Sequence, residues 1–390
     1  MSVTVAPSLD FAGKILEHSE EISDKLNLLR MQRFPPNAQK SLREFTLGEV
    51  AELLGVSTSY LKKLHLGEKA IAPSTVTAAG RRFYSLEKMN EIREAINRVP
   101  GRKLHEPLQI MAVVNFKGGS GKTTTAAHLA QYLALKGLRV LAVDLDPQAS
   151  LTSLYGIQPE LDNKPSFYEA LRYDEKRTSI KSIIQRTNFA NLDLVPANLE
   201  LQEYEYDTPL AMQGPNSSEG KFFFTRIRTA LEEVDGSYDV VVIDCPPQLG
   251  YLTLTALAAA TATLITIHPQ MMDVMSMSQF LAMLGGVLRS IEQVGVRLRM
   301  EWFRYLVTRY EPTDIPQQQM IGFMQTMFAE QMLKTPMVKS TAISDAGLTK
   351  QTLYEVERSQ FTASTYDRAR EAMDTVNGEV LDIIFKAWGR

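Results

Sequence analysis

The sequence predicts an α/β fold in which a doubly wound, mostly parallel sheet is preceded by an N-terminal helix and a small helical domain. First, the apolar runs 108–116, 138–146 and 238–247 are continuous rather than alternating, and helical segments separate them. Continuous apolar strands joined by helices are typical of a parallel sheet that is covered on both faces. Second, residues 1–105 show helical periodicity with capping and turn signals.

The bulk composition is that of an ordinary globular protein. The 390 residues are 44% hydrophobic and 22% charged, which allows two or three domains and a large core. The single cysteine, Cys245, cannot form an internal disulfide and excludes a metal site made of several cysteines. One cysteine fits a reducing compartment, and the N-terminal stretch lacks the basic segment and apolar segment of a secretory signal, so we expect a cytosolic protein.

The charge is unevenly distributed along the chain. The net charge is −3, yet residues 1–105 contain 16 Lys and Arg against 12 Asp and Glu. Within 57–105 the imbalance grows to 10 basic against 4 acidic residues. A basic surface is therefore expected in the N-terminal third, where a nucleic-acid contact should first be sought.

Residues 1–40 are predicted to form a helical arm. Apolar side chains repeat at helical spacing between residues 9 and 33, with most acidic side chains off that face. Packing on its own chain and pairing of two chains explain this face equally well. Pro35 and Pro36 should end the helix. The apolar face consists of Phe11, Ile15, Ile22, Leu26 and Leu29.

Residues 41–105 carry a helix-turn-helix pattern. Thr46 with Glu49 three positions later predicts a capping box, Gly55 a turn, and Ser57 the cap of a second helix. In such a motif the second helix lies in the major groove, with its early residues at the base edges. The candidate DNA-reading residues are Ser57, Thr58, Ser59 and Lys62.

The next segment resembles a wing. Arg81 and Arg82 follow a glycine turn and precede a capped helix that begins near Ser85, as in the winged helix-turn-helix of the MerR group. An ordinary helical hairpin is the alternative, but the basic excess favours DNA binding. Residues 97–107 are expected to be a linker, because they combine prolines, a glycine and basic residues. The predicted domains are thus 1–40, 41–105 and 106–390.

The stretch VVNFKGGSGKTTTA, residues 113–126, is typical of a phosphate-binding loop between a strand and a helix. Its glycines let backbone N–H groups converge on phosphates at a helix N-terminus. Lys122 would reach the outer phosphates, Thr123 would hold Mg²⁺, and Thr124 would contact an inner phosphate. The predicted nucleotide-binding residues of the loop are Gly118, Gly119, Ser120, Gly121, Lys122, Thr123 and Thr124.

Three carboxylates follow predicted strands. Asp144 and Asp146 lie in DLDPQ, and Asp244 follows the run VVVI. Because strand carboxyl ends of a doubly wound sheet meet at one crevice, all three are expected to surround one triphosphate. Thr123 and Asp244 are the Mg²⁺ ligands that this pattern predicts.

These motifs resemble a known family. KGGSGKTT, VDLDPQ and YDVVVIDCPP are similar to the deviant Walker A, A′ and B motifs of the ParA/MinD group of P-loop ATPases. The resemblance covers about residues 108–390. With the N-terminal helix and the winged helix-turn-helix, the layout is similar to that of the larger type Ia plasmid partition ATPases, especially the RepA proteins of repABC-type plasmids.

The resemblance implies ATP and ADP as ligands, Mg²⁺ as cofactor, and ATP hydrolysis as the reaction. Lys117 corresponds to the signature lysine, which crosses a dimer interface to the ATP of the partner subunit. Asp146 would orient the attacking water, Asp144 would support the Mg²⁺ shell, and Asp244 would be the Walker B acid. Lys117, Lys122 and Asp146 are therefore the candidate catalytic residues. A solvated lysine at the loop entrance is the alternative reading of Lys117.

The resemblance also implies a function and partners. An ATP-bound homodimer would bind nucleoid DNA non-specifically, with Lys350 and Arg358 as candidate contacts. A ParB-type centromere-binding protein would stimulate hydrolysis, and the winged domain would bind an operator and repress the protein's own operon. The expected location is cytoplasmic and nucleoid-associated.

Two alternatives remain at this level. One is a nucleotide-gated transcriptional repressor without a segregation role, and the other is a MinD-like membrane-associated ATPase. Residues 379–390 are apolar, but only Lys386 and Arg390 are basic, which makes attraction to anionic lipid poor. We therefore expect that segment to pack on the core, with no membrane partner. Residues 206–221 are expected to form a loop.

Overall fold

The computed structural model describes residues 10–33, 40–66, 71–158, 164–213, 220–293 and 295–390. The chain divides into two compact units, Met1–Ser41 and Leu42–Arg390.

The first unit contains one described helix, α1, Phe11–Arg33. The described apolar side chains Phe11, Ile15 and Ile22 of its predicted face are exposed. The parts of the predicted arm outside the described residues are Pro35, Pro36 and the side chains of Leu26 and Leu29.

The second unit begins with short elements between residues 45 and 95. The helices are α2, Leu47–Leu54, α3, Thr58–Leu64, and α4, Leu86–Ala95. The strands are β1, Phe45–Thr46, β2, Thr75–Val76, and β3, Arg82–Tyr84. The three strands form a small antiparallel sheet in the order β1-β3-β2.

The helix caps of this segment are those that the sequence predicts. The Glu49 amide donates to Thr46 Oγ1 at 3.3 Å, and the Thr46 amide donates to Glu49 Oε2 at 2.9 Å. This reciprocal pair is a capping box, which satisfies two amide groups at the start of α2. The Tyr60 amide donates to Ser57 Oγ at 3.1 Å, so Ser57 caps α3.

The remaining elements of the second unit form the main sheet and its covering helices. The strands are β4, Gln109–Val114, β5, Val140–Asp144, β6, Gln185–Arg186, β7, Leu192–Val195, β8, Val240–Asp244, β9, Ala262–Ile267, and β10, Trp302–Val307. The helices are α5, Lys122–Leu135, α6, Ser150–Leu154, α7, Tyr168–Leu171, α8, Glu203–Gln213, α9, Arg226–Glu232, α10, Tyr251–Ala259, α11, Met271–Gln293, α12, Ile315–Phe328, α13, Thr341–Leu348, and α14, Ala363–Ala387.

The main sheet confirms the predicted doubly wound, mostly parallel architecture. Within the described residues its strand order is β10-β9-β4-β8-β5-β7-β6. Each pairing from β10 to β7 is parallel, and only the edge strand β6 is antiparallel. The strands that carry the motifs, β4, β8 and β5, are neighbours at the centre. Their carboxyl ends therefore lie side by side.

Helix α5, which follows the phosphate-binding loop, is deeply buried. From Thr125 to Leu135 every side chain is buried. It packs against the sheet on one side and against α14 on the other. Within the C-terminal segment Val380, Leu381, Ile384 and Trp388 are buried, as expected for packing on the core.

One expectation about loops is wrong. Residues 206–213 belong to α8 rather than to a loop, and residues 214–219 lie outside the described part of the chain. The helix forms because it has an apolar face to bury: Tyr204 is fully buried and stacks on Tyr173 at a ring distance of 5.8 Å. Thr208 on the same face is buried and bonds back to the Tyr204 carbonyl at 2.7 Å.

Helix α11 is long and apolar enough to cross a membrane by length and composition alone, with a mean hydropathy of 1.4 over its best window. It meets that test among the residues that the structure describes, but core helices meet it too. Its buried face, including Val274, Met277, Phe280 and Leu284, belongs to the apolar core beneath the sheet. We therefore treat α11 as a covering helix.

Two arginines after β3 join the small N-terminal elements to the sheet domain. Arg93 of α4 is buried and donates to the Leu135 carbonyl in the last turn of α5 and to Asn90 Oδ1 at 2.6 Å. Burial lowers the pKa of Arg93 to about 10. Arg98 donates to the Gly55 carbonyl at 2.7 Å, at the turn between α2 and α3. The end of α4 therefore holds both the α2–α3 turn and the C-terminus of α5.

We predict that Gly137→Ala destabilises this junction. Gly137 has a φ of +96°, and an added Cβ would lie 2.8 Å from Arg93 Cδ. The substitution should lower the free energy of unfolding, measured by urea titration, by about 1–3 kcal/mol. The control is Gly236→Ala, where an added Cβ meets nothing within 4 Å, and it should change that free energy by less than about 0.5 kcal/mol. Equal effects of the two substitutions would refute the packing argument.

Candidate nucleotide-binding site

The phosphate-binding loop lies between β4 and α5, as the sequence predicts. Gly119 and Gly121 have φ values of +72° and +83°, a backbone region that other residues rarely adopt. A Cβ added at Gly121 would lie 3.4 Å from Thr308 Cβ, so the loop also passes close to the strand end after β10. The loop leads directly into the N-terminus of α5, where amide groups without a partner in the helix favour anions.

A cavity of about 500 Å³ opens over this loop, which is within the usual size range of small-ligand sites. It is lined by Gly118, Gly119, Ser120, Gly121, Lys122, Thr123, Thr124, Asp146, Gln148, Ser150, Pro247, Thr308, Arg309, Met337, Val338, Lys339, Ser340, Ile343 and Ser344. The fold therefore brings the whole predicted phosphate loop and Asp146 together. Sequence reasoning missed the stretch 337–344, which has no motif of its own.

Lys122 is 6% exposed although it is a lysine. Its Nζ donates to the Lys117 carbonyl at 3.2 Å, which folds the side chain back over the loop. Burial lowers the pKa of Lys122, while the nearby carboxylates Asp244 and Asp146 act in the opposite direction. A cation held this way is positioned to neutralise an anion that enters the loop.

Asp144 and Asp244 end two adjacent strands and stand opposite each other in the β5–β8 register. Both are buried, and neither lines the cavity. Asp144 accepts from the Thr152 amide at 2.8 Å, from Thr152 Oγ1 at 2.7 Å, and from the Asp146 amide at 3.2 Å. Burial raises the pKa of Asp144 to about 7, although the hydrogen bonds from Thr152 oppose the shift.

Asp244 differs from Asp144 because, within the described part of the chain, neither of its carboxylate oxygens accepts a hydrogen bond of good geometry. Burial raises its pKa well above the ordinary range and the charge of Asp144 adds to the effect, whereas the Thr123 hydroxyl and the Lys122 charge oppose it. A buried carboxylate without partners is costly unless a cation approaches it. The site therefore fits Mg²⁺, with Asp244 and the Thr123 hydroxyl as the residues that would hold it.

The described residues contain no group of three or more His, Cys, Asp or Glu side chains that could hold a metal ion. Mg²⁺ is commonly bound through one or two carboxylates, with substrate phosphates and water completing its shell.

Lys117 lies beside the loop, at a smaller cavity of about 230 Å³ that borders the nucleotide cavity. Its side chain is about half exposed, and its Nζ forms an ion pair with Asp273 Oδ1 at the start of α11. The other Asp273 oxygen lies 3.1 Å from His268 Nδ1. Lys117 is thus held within its own subunit by a residue that no sequence motif indicated.

The candidate DNA-binding residues fall into two groups. Ser57, Thr58, Ser59 and Lys62 are exposed at α3, and Arg81 is exposed in the β2–β3 hairpin, where Arg82 is partly buried.

The other two candidates lie outside the small N-terminal elements. Arg358 is exposed but forms a two-point ion pair with Asp367, with both N–O distances 2.6 Å. Lys350 follows α13 with a φ of +53°. Arg358 also lines a cavity of about 1020 Å³ together with Thr46, Glu49 and Phe83 of the small N-terminal elements.

Comparison with known proteins is consistent with this geometry. A family model described as an AAA domain matches residues 108–294. The chain is 64% identical over 400 residues to a "Putative replication protein A" of Sinorhizobium fredii, covering 100% of this chain and 98% of that protein. It is 29% identical over 244 residues to the chromosome partitioning protein ParA of Caulobacter vibrioides, covering 62% and 84% of the two chains.

The chain belongs to the ParA/MinD group of P-loop ATPases. The family resemblance expected from the three motifs is thereby confirmed, and the protein is an ATPase.

Solved structures agree with this assignment. Cobyrinic acid a,c-diamide synthase from Mycobacterium smegmatis, solved with an ATP analogue and magnesium, is 28% identical with a TM-score of 0.51, covering 62% of this chain and 94% of that one. A structure described as a partition protein has a TM-score of 0.61 at 19% identity and covers 97% and 99% of the two chains, which shows a shared fold. That synthase therefore binds an ATP analogue together with magnesium.

We predict that Asp244→Asn stabilises the nucleotide-free protein but removes its activity. Replacing a buried carboxylate that has no partner should raise the free energy of unfolding by about 0.5–2 kcal/mol. The same change should lower kcat for ATP hydrolysis by at least about 100-fold, because the charge that would hold Mg²⁺ is lost.

The matched control is Asp239→Asn. Asp239 is also fully buried, but it accepts from the Arg139 amide at 2.7 Å and from Arg139 Nη2 at 2.6 Å. Its replacement should lower the free energy of unfolding by about 1–3 kcal/mol. If Asp244→Asn destabilises the protein as Asp239→Asn does, Asp244 is not an unpaired charge.

Proposed function

We propose that the protein is a DNA-partition ATPase in which Mg-ATP pairs two copies, the pair binds DNA non-specifically, and hydrolysis releases it. A ParB-type centromere-binding protein would stimulate hydrolysis, and the protein would act in the cytoplasm on the nucleoid. The observation that carries the proposal is Lys117, a partly exposed cation at the edge of the nucleotide cavity and not inside it. The partition relatives support it.

Within one subunit the division of labour follows from position. The amides of residues 118–124 and the Lys122 ammonium bind the phosphates, while Thr123 and Asp244 hold the metal. Bound Mg²⁺ would neutralise charge on the phosphates during transfer. Asp146 lines the cavity and is the residue placed to orient a water molecule. Asp144 lies behind Asp146 and supports the Asp146 backbone by accepting a hydrogen bond from its amide.

Lys117 has two mutually exclusive partners in this proposal. In the free subunit it pairs with Asp273, and in the ATP-bound pair it would reach the phosphates of the partner subunit. ATP carries more negative charge than ADP and therefore attracts Lys117 more strongly, so dimerisation depends on the number of phosphates. Asp273 therefore competes with the neighbouring subunit for the same cation.

We predict opposite effects of two substitutions on dimerisation. Lys117→Gln should abolish dimerisation that depends on ATP while leaving ATP bound. Asp273→Asn should tighten dimerisation about two- to fivefold, since a partly exposed ion pair contributes about 0.5–1 kcal/mol. Analytical ultracentrifugation with ADP and with a non-hydrolysable ATP analogue measures both. The exposed Lys181→Gln is the control. Persistent ATP-dependent dimers of Lys117→Gln would show that the assigned role is wrong.

We infer that residues 41–105 form a winged helix-turn-helix that binds an operator and represses the protein's own operon. The support is local: α2 and α3 are joined at Gly55, α3 exposes Thr58, Ser59 and Lys62, and the β2–β3 hairpin exposes Arg81. Polar side chains early in a recognition helix read base edges, and hairpin arginines reach phosphates or the minor groove. Lys350 and Arg358 remain candidates for non-specific contact, although Arg358 must first leave Asp367.

The arm α1 is a second candidate pairing element. Its exposed Phe11, Ile15 and Ile22 would be covered if two copies of the helix packed together. Such pairing would not depend on nucleotide, unlike the contact made by Lys117.

We predict that Lys62→Ala and Arg81→Ala weaken operator binding at least about tenfold, which corresponds to roughly 1–3 kcal/mol per base or phosphate contact. Their binding to random DNA with an ATP analogue should change less than about threefold. The control is Lys88→Ala on α4, whose ammonium pairs with Glu91 at 2.5 Å. Fluorescence anisotropy on operator and random DNA, with ADP and with the analogue, measures all variants.

The same measurement separates the alternatives. Operator binding without any ATP-dependent binding to random DNA would identify a nucleotide-gated repressor that has no segregation role. Loss of both activities in Lys62→Ala would contradict two separate DNA surfaces.

A further inference from the structure

Thr152, in the short helix α6 that follows the DLDPQ motif, is a fully buried polar residue that neither motif nor family resemblance singled out. It has a complete set of hydrogen bonds. Its amide donates to Asp144 Oδ2 at 2.8 Å and its Oγ1 donates to the same oxygen at 2.7 Å. Its Oγ1 also accepts from the Ala197 amide at 2.9 Å.

These contacts fix the direction of the Thr152 hydroxyl proton. A hydroxyl has one proton and accepts through its lone pairs. Because the Ala197 N–H already points at Oγ1, the single proton is left for Asp144. The hydroxyl thus links the end of β5 to the stretch that follows β7, two neighbouring strands of the sheet.

The other oxygen of Asp144 connects the Thr152–Asp144 hydrogen bonds to the cavity. Asp144 Oδ1 accepts from the Asp146 amide at 3.2 Å, and the Asp146 carbonyl accepts from the Ala149 amide at 2.8 Å. Asp146 is the carboxylate of this loop that lines the nucleotide cavity. Asp144 and the Ala149 amide therefore both contribute to holding the backbone of Asp146.

We propose that Thr152 is a positioning residue for ATP hydrolysis: by clamping Asp144 it holds Asp146 at the cavity wall in the geometry that hydrolysis requires. The inference rests on the proposed role of Asp146. Thr152 is not among the residues that line the nucleotide cavity, so its loss should slow the chemical step without weakening nucleotide binding. Misplacement of a catalytic group by about 1 Å can cost about 100-fold in rate.

The test compares Thr152→Val, which keeps the shape and removes the hydroxyl, with Thr152→Ser, which keeps the hydroxyl. Thr152→Val should lower kcat for ATP about 10- to 100-fold with KM changed less than about threefold. Thr152→Ser should recover kcat to within about threefold of the original. Binding of a fluorescent ADP analogue, a readout separate from turnover, should be unchanged in both variants.

A double-mutant cycle with Asp144→Asn checks the route of the effect. If Thr152 acts through Asp144, Thr152→Val should add little to the loss caused by Asp144→Asn. Independent, multiplying losses would overturn the proposal. So would a Thr152→Ser variant as slow as Thr152→Val, or a loss of ADP affinity equal to the loss of kcat, because both indicate packing instead of positioning.

Two further variants keep the result decisive. Thr152→Val leaves the buried Ala197 amide unpaired, so its folding is checked by thermal unfolding, and Thr152→Ala, which leaves room for a water at that amide, replaces it if folding fails. Lys122→Ala tests the site itself. If Lys122→Ala still hydrolyses ATP, the proposed nucleotide site is wrong. If Lys122→Ala is inactive but the Thr152 variants are as active as the original protein, only the inference about Thr152 is wrong.

Discussion

The placement of two buried carboxylates on adjacent strands is the constraint on which the site depends. Asp144 and Asp244 face each other across the β5–β8 pairing in a region without solvent. Two negative charges buried next to each other are unfavourable, and burial raises the pKa of both carboxyl groups. Hydrogen bonds from Thr152 stabilise Asp144, whereas Asp244 accepts none of good geometry from the residues that the structure describes. That asymmetry marks Asp244 for a cation and Asp144 for a supporting role.

Helix α5 links this charge cluster to the rest of the molecule. It begins at the phosphate loop and ends at Leu135, whose carbonyl accepts from Arg93 of α4. The same region of chain supplies Arg98 to the α2–α3 turn. Helix α5 is buried from Thr125 to Leu135, so the helix that begins at the phosphate loop is fixed in place up to its contact with α4.

Much of the fold and of the phosphate site could be predicted from sequence because the information is local. The loop, its helix, the capping box at Thr46 and the strand-end acids each depend on residues within a few positions of one another. The partners of those residues could not be predicted. Asp273 is 156 positions from Lys117, and the cavity wall formed by Met337 and Ser340 arrives from a distant loop. The helix at 206–213 was missed because its apolar face is recognisable only beside Tyr173.

The sequence by itself determined the fold class, the ATPase family and the position of the glycine-rich loop between a strand and a helix, because period, glycine spacing and capping act over short distances. Only the tertiary structure decided that Lys117 is held by Asp273, that Thr152 donates to Asp144, and that Asp244 accepts no hydrogen bond of good geometry from the described residues. These are properties of side chains brought together by a parallel sheet. Pairing strands in the order β4-β8-β5 places residues about a hundred positions apart in contact, and no local pattern encodes which atoms then meet.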